Sequence, residues 1–329
     1  MIWEEAIKFL KEEKTFLLVT HINPDIDGIA SMLTLCLLFE NMKKIGYPLV
    51  EEIPDNVEFL PSSQKLILVE NFKNKTPKAC IVVDAYCPSR LSEKVLQKIS
   101  SCEKFLIIDH HVLNHRKQFS KKEILLIDPS YASTTLIIFQ LLKNGNFPIT
   151  DKMAENLLAG VYYDTGGFKY ENINANTFFL SGELVKAGAN PRKISQALFE
   201  NISLIQIEFL KIVLNRLVFL KDGKIAISYL TCEDFKKIGN PKSLSDLVNF
   251  LKSIKNVEIS VLIKEIEKNL ISVSLRSKAP IEIIELARRF GGGGHKYACG
   301  FRLKIEDLKG FIENFKDLIS KYYEEQKSN

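Results

Sequence analysis

Short apolar runs alternate with longer mixed segments through the first half of the chain. Thr15 to Thr20, Cys80 to Val83, Phe105 to Ile108 and Ile124 to Ile127 are continuous apolar stretches. That pattern predicts strands buried on both faces of a largely parallel sheet. Ile26 to Ile45 is apolar nearly all round and closes with Lys43, Lys44 and Gly46, which predicts a helix with its stop. Asp151 to Tyr163 and Asn174 to Ala187, the latter followed by Gly188, read as further helices, and MIWEEAIKFLKEEK at the start reads as an amphipathic one. The alternation of strand and helix predicts an α/β domain.

GANPRK breaks this pattern, and Pro191 to Leu220 carries no glycine or proline after its first residue, so it reads as a long helical connector. Lys224 to Leu230, Glu258 to Glu265 and Leu270 to Arg276 then read as strands, the last two joined by a short polar turn as a hairpin. Period-two alternation places Ile271, Val273 and Leu275 on one face and Ser272, Ser274 and Arg276 on the other, so Arg276 points away from the core. Pro280 is expected to open a helix bearing Ile283, Ile284, Ala287 and Phe290, four glycines follow, and a final amphipathic helix runs from about Glu306 to Tyr323. The expected organisation is a catalytic domain over 1–190, a helical linker over 191–220 and a smaller α/β domain over 221–329.

Length agrees with this division, because 329 residues exceed one small core and domains run to roughly 100–200 residues. A formal charge of +5 permits an anionic substrate and is far from that of a histone-like binder. The six cysteines form no C-x-x-C pair and read as reduced thiols of a cytoplasmic protein. The first segment lacks the basic start and unbroken apolar core of a secretory signal.

Only five histidines occur, and four lie in short segments rich in carboxylates or glycines: His21 in HINPDID, His110 and His111 in IDHH, His295 in GGGGHK. Pro24 stiffens the turn that carries His21, Asp25 and Asp27, because its φ is fixed. Asp84, Asp109 and Asp164 each end an apolar run. In open α/β sheets ligands gather beyond the carboxyl ends of the strands, so these segments converge on one edge. Imidazoles mixed with carboxylates and no thiolate favour Mn²⁺, with Mg²⁺, Co²⁺ and Zn²⁺ as competitors. The set is large enough for two divalent ions, which at about 3.5–4 Å would activate a shared water for attack on phosphorus. Gly291 to Gly294 can turn backbone N–H groups toward an anion, with Arg276, Arg288, Arg289 and Lys296 supplying charge. His115 lies outside the motifs and reads as an exposed loop residue.

THINPDIDGIAS, VVDAYCPSRL, IDHHVLN and GVYYDTGGFKY, in that order, resemble the four motifs of the DHH phosphoesterases, and ARRFGGGGHKYACGF resembles the signature of the DHH-associated C-terminal domain. DPSYASTT and the GGGGH ending are most similar to the bifunctional oligoribonuclease (nanoRNase) and pAp phosphatase group. The resemblance implies that His21, Asp25 and Asp84 hold one ion, and that Asp27, Asp84, His110 and Asp164 hold the second, with Asp84 bridging. It assigns His111 to the substrate phosphate and Asp109 to orienting the histidines. Arg276, Ser277, Gly293, Gly294 and His295 become nucleotide contacts. The active site is expected in the inter-domain cleft of a homodimeric enzyme that cleaves short RNA to mononucleotides and adenosine 3′,5′-bisphosphate (pAp) to AMP. A phosphodiesterase for linear or cyclic dinucleotides and an inactive nucleotide-binding sensor are the alternatives. Gly28, Tyr86 and Cys87 depart from the group's usual residues.

Overall fold

The computed structural model describes residues 2–54, 56–112, 117–120, 122–239, 241 and 244–328, with only the main chain of Ser245, His295 and Ser328. His115 lies outside the described residues. The chain divides into two units, Met1–Asn201 and Ile202–Asn329.

In the first unit the strands are β1 (Thr15–Val19), β2 (Ile45–Val50), β3 (Ile67–Leu68), β4 (Ala79–Val83), β5 (Lys104–Asp109) and β6 (Glu123–Ile127). They form one parallel sheet in the order β3-β2-β1-β4-β5-β6. The helices are α1 (Ile2–Glu12), α2 (Ile26–Asn41), α3 (Glu93–Ile99), α4 (Thr134–Asn144), α5 (Asp151–Asp164), α6 (Ala175–Lys186) and α7 (Pro191–Phe199). Successive side chains of a strand point to opposite faces. Phe16, Leu18, Ile81, Val83, Leu106 and Ile108 accordingly join a core with α1, α2, α4 and α5, while Leu17, Val19, Cys80, Val82, Phe105 and Ile107 meet Val95 and Ile99 of α3. The expected parallel sheet is thus present and covered on both faces.

Two expectations for this half are corrected. The helix starting at Ile26 ends at Asn41, because Lys43 turns into the left-handed region (φ 58°) and Ile45 already pairs with Thr15. Gly46 is therefore not a helix stop. It lies in β2 against Phe39, whose ring would stand 2.8 Å from an added Cβ. The single connector over Pro191 to Leu220 is instead α7, a break, helix α8 (Leu204–Asn215) and strand β7 (Val218–Leu220). Ser203 restarts the helix through a capping box with Gln206, which satisfies N–H groups that a helix start leaves open.

The second unit contains α8 and β7, then β8 (Ile225–Leu230), α9 (Cys232–Ile238), α10 (Ser245–Ser253), β9 (Ile259–Glu267), β10 (Leu270–Ser277), α11 (Ile284–Arg289), β11 (Gly293–His295), β12 (Ala298–Lys304) and α12 (Leu308–Ser328). Its sheet runs β11-β12-β10-β9-β8-β7, antiparallel except for the β8/β9 pair. Ile271, Val273 and Leu275 pack with Phe315 and Ile319 of α12, and the opposite face brings Ala226, Leu230 and Leu262 onto Phe209, Val213 and Val248. The helix expected from Pro280 begins only at Ile284, and half of the glycine run is strand: Gly293 and Gly294 pair with Gly300 and Cys299. The six cysteines are free thiols, five of them buried. Among the described residues no helix is long and apolar enough to cross a membrane.

Phe16 and Phe39 are fully buried and stack at 4.2 Å with 7° between their planes. Phe16→Ala removes a whole ring from a close-packed layer, at a cost of about 3–5 kcal/mol. Urea unfolding should show that loss; a change below about 1 kcal/mol would mean that the layer collapses around the gap.

Candidate metal centre

The sheet order reverses direction between β1 and β4, and the segments leaving their carboxyl ends carry the first acidic and imidazole groups. Asp25 caps α2, its Oδ1 accepting from the N–H groups of Asp27 (3.0 Å) and Gly28 (3.2 Å), and its Oδ2 lies 3.7 Å from His21 Nε2. Asp27, in the first turn of the helix, is fully buried. Its Oδ2 accepts from Thr134 N at 2.7 Å and its Oδ1 from Thr135 N at 3.0 Å. These are N–H groups that the first turn of α4 cannot satisfy internally, and the helix dipole favours a negative charge there. Gly160 of α5 makes room for this arrangement, since a Cβ there would lie 2.5 Å from Asp27 Oδ1. Gly28 likewise faces Thr20, whose Oγ1 would be 2.3 Å from an added Cβ. The glycine at this position is thus matched to its neighbour.

Asp84 follows β4 with φ +56°, a left-handed conformation that aspartate tolerates better than bulkier residues. Its N–H donates to Ile108 O, and its carboxylate lies 3.3 Å from His21 Nε2, 3.3 Å from His111 Nδ1 and 3.7 Å from His110 Nε2. Thr134 Oγ1 donates to it at 3.1 Å. At the end of β5, buried Asp109 accepts from both the main-chain N–H (2.9 Å) and Nδ1 (2.7 Å) of His111. Asp164 closes α5 with its Oδ2 at 3.0 Å from His110 Nε2.

Three sets of ligand atoms each fall within 4.8 Å: His21 with Asp25 and Asp84; Asp27 with His110 and Asp164; Asp84 with His110 and His111. The structure therefore brings the six expected ligands together, with Asp84 common to two of the sets. His21 Nε2 and Asp164 Oδ2 are buried yet make no hydrogen bond. Buried polar atoms normally have a partner, so several aimed at one space fit a cation that they would share.

The electrostatics point the same way. Burial, with the neighbouring carboxylates, raises Asp27 and Asp164 well above the usual carboxylate range. Burial works against charged His21 and His111, but Asp25 and Asp84 beside the first and Asp109 and Asp84 beside the second outweigh it and push both up to about 10. Burial opposes ionised Asp84 too, and the histidines hold it low. The carboxylates thus favour positive charge on His21 and His111. Divalent ions bound by oxygen and imidazole would supply it instead.

In the second unit Arg276 donates from Nε to Asn249 Oδ1 at 3.1 Å. With Gly293, Gly294, Ser274 and Gly300 it lines a concavity of about 410 Å³. Ser277 is not part of it: the residue is buried and its hydroxyl donates to Ile281 O at 2.6 Å. The main chain of His295 pairs with Ala298. Sequence patterning missed Lys264 and Arg302, which flank Ser272 in register on β9 and β12. Burial and then the charges of Arg276 and Arg302 lower the Lys264 ammonium. Among the described residues neither Lys264 nor Arg302 has an acidic partner. The period-two phase of all three strands carried that signal, once their register was known. Thr134 was also missed as a contact of the centre.

Residues 15–161 match the model for the DHH family, N-terminal domain, and residues 222–321 that for the DHHA1 domain. A Thermus thermophilus protein named bifunctional oligoribonuclease and PAP phosphatase NrnA is 28% identical over 92% of this chain and 88% of its own length. The Bacillus subtilis protein of the same name is 28% identical over 90% of this chain and 91% of its own. The crystal structure of an exopolyphosphatase-related protein from Bacteroides fragilis superposes with a TM-score of 0.88 at 26% identity, covering 99% of this chain and 97% of that one. The first match takes in the segments that carry all but one of the clustered side chains, and the second takes in most of the other unit: the chain belongs to the DHH family, a DHH N-terminal domain followed by a DHHA1 domain.

Proposed function

We propose that this protein is a metal-dependent phosphoesterase that hydrolyses short oligoribonucleotides to mononucleotides and pAp to AMP. The observation that carries the reading is the convergence of three ligand sets, two of which share Asp84 while the third, of Asp27 and Asp164, is joined to them through His110. Full-length similarity to proteins named NrnA supports the substrate class. His21, Asp25 and Asp84 would hold one ion, and Asp27, Asp84, His110 and Asp164 the other. Such a pair, Mn²⁺ first among the candidates, supplies Lewis-acid polarisation of a phosphoryl oxygen and a water made acidic near neutral pH.

The chain's own groups do the rest. Asp109 fixes His111 by both its main-chain N–H and its ring, and His111 is assigned to the substrate phosphate, where its proton offsets developing charge or passes to the leaving oxygen. Arg276, Gly293, Gly294 and His295 are assigned to grip the nucleotide. Ser277 is left out of that group, because its hydroxyl is engaged inward. Lys264 and Arg302 extend the cationic face along the sheet, which offers a second phosphate of an oligonucleotide a counter-charge. A footprint this small suits a few nucleotides rather than a long duplex. The cysteines without disulfides agree with a cytoplasmic setting.

Asp84→Ala should empty both ion positions, lowering bound metal and turnover together by more than the roughly 10–100-fold typical of an outer-sphere partner, while far-UV dichroism is unchanged. Near-normal kcat in folded, purified variant would overturn the shared-ligand assignment.

Arg276→Ala should lower kcat/KM for pAp and short RNA by about ten- to a hundred-fold, the equivalent of about 1.5–3 kcal/mol for a hydrogen bond to a charged group. Hydrolysis of bis(p-nitrophenyl) phosphate should persist. Arg302→Ala should raise KM for a trinucleotide and leave pAp unaffected. Equal losses on the nucleotides and the small ester would place these residues in the reacting centre or the fold. A panel of pAp, pApA, cyclic di-AMP and short RNA fixes the substrate; preference for the cyclic compound would replace this reading by the dinucleotide one.

A further inference from the structure

We propose that Thr134 is a positioning residue that sets the two ligand sets relative to one another, with its main chain acting on one and its hydroxyl on the other. This rests on the two-ion reading above. The N–H of Thr134 donates to Asp27 Oδ2 at 2.7 Å, and its Oγ1 donates to Asp84 Oδ1 at 3.1 Å. Asp27 belongs with His110 and Asp164, whereas Asp84 is shared by the other two sets. One residue thus touches both carboxylates that must keep a fixed separation if two ions are to be bridged.

The surroundings make these contacts effective. Thr134 and Asp27 are fully buried and Asp84 is 2% exposed, so water competes for neither hydrogen bond. Thr134 is itself held firmly. Ser133 caps α4 by accepting from Leu136 N at 3.3 Å, and its hydroxyl meets Thr135 Oγ1 at 2.8 Å. Asn172 Nδ2 bridges Ala132 O (2.9 Å) and Asp164 O (3.1 Å), which ties the entry to α4 to the end of α5. Three ligand-bearing segments, those of Asp27, Asp84 and Asp164, are therefore anchored on residues 132–135. A hydroxyl donating to one lone pair of Asp84 Oδ1 orients the carboxylate and leaves its remaining lone pairs for cations. His111 approaches the same oxygen at 3.3 Å, but from a ring that Asp109 holds, so it cannot follow Asp84. Thr134 is on a helix start whose position is fixed by the fold.

The two functions of Thr134 can be separated. Thr134→Val keeps the N–H and nearly the same shape without the hydroxyl, and Thr134→Ser keeps the hydroxyl without the methyl. Each full-length protein, stripped by a chelator, is titrated with Mn²⁺ by calorimetry and its bound metal counted, with thermal melting of the metal-free form recorded alongside. Wild type and Thr134→Ser should bind alike within about threefold, and Thr134→Val should bind about 10–100-fold more weakly, the range found when an outer hydrogen-bond partner of a ligand is removed. If Thr134→Val does not fold, Thr134→Ala removes the same hydroxyl with no added methyl and replaces it in the comparison. Wild-type affinity in a folded hydroxyl-less variant overturns the inference, and so does equal weakening in Thr134→Ser, which would assign the effect to packing. Failure of the wild type to bind Mn²⁺, Mg²⁺, Co²⁺ or Zn²⁺ would instead remove the two-ion reading itself.

Discussion

The carboxylate of Asp27 lies completely out of water and is received by the N–H groups of Thr134 and Thr135. A buried carboxylate without such partners would cost several kcal/mol. Meeting that cost dictates much of the first unit. It fixes the start of α2 against the start of α4, and it forces α5 to present Gly160 where any larger residue would strike Asp27 or Thr135. The end of α5 is thereby placed so that Asp164 reaches His110. The centre is consequently rigid through helix packing, although three of its segments follow strand ends.

Most of this frame was legible from apolar runs. β1, β4, β5 and β6 are covered on both faces, so their sequences are unbroken and stand out. β2 was hidden because Gly46 and Pro48 interrupt it, and the glycine is there for a reason that only its neighbour reveals, the ring of Phe39 packed on it. The region after Pro191 misled for the opposite reason. It lacks breakers, yet Ser203 and Gln206 form a reciprocal cap that starts a new helix, and hydrophobic periodicity does not see a cap of that kind.

Within the centre, His21, Asp25, Asp27, Asp84, His110 and Asp164 were readable because each belongs to a short polar motif at the end of an apolar run. Thr134 was not, since a threonine at a helix start has many uses and only the fold puts it beside residues 27 and 84. Lys264 and Arg302 were invisible for a related reason. They are 38 positions apart and become neighbours through the register of β9, β10 and β12. Like charges drawn together on one sheet face oppose each other, and this is the feature of the second unit that most calls for an anion.

The proposed ligands are spread from His21 to Asp164, and their approach depends on the strand order in which β1 and β4 are neighbours although α2, β2 and β3 intervene in the chain. No short fragment of the sequence contains the set. An unfolded chain therefore has no preformed site, and cation affinity becomes a property of the assembled sheet. Binding and folding would be linked through that dependence: each divalent ion taken up by the native centre would draw the folding equilibrium of the first unit toward the native side, so the free concentration of divalent cation would act on how much of this unit is folded.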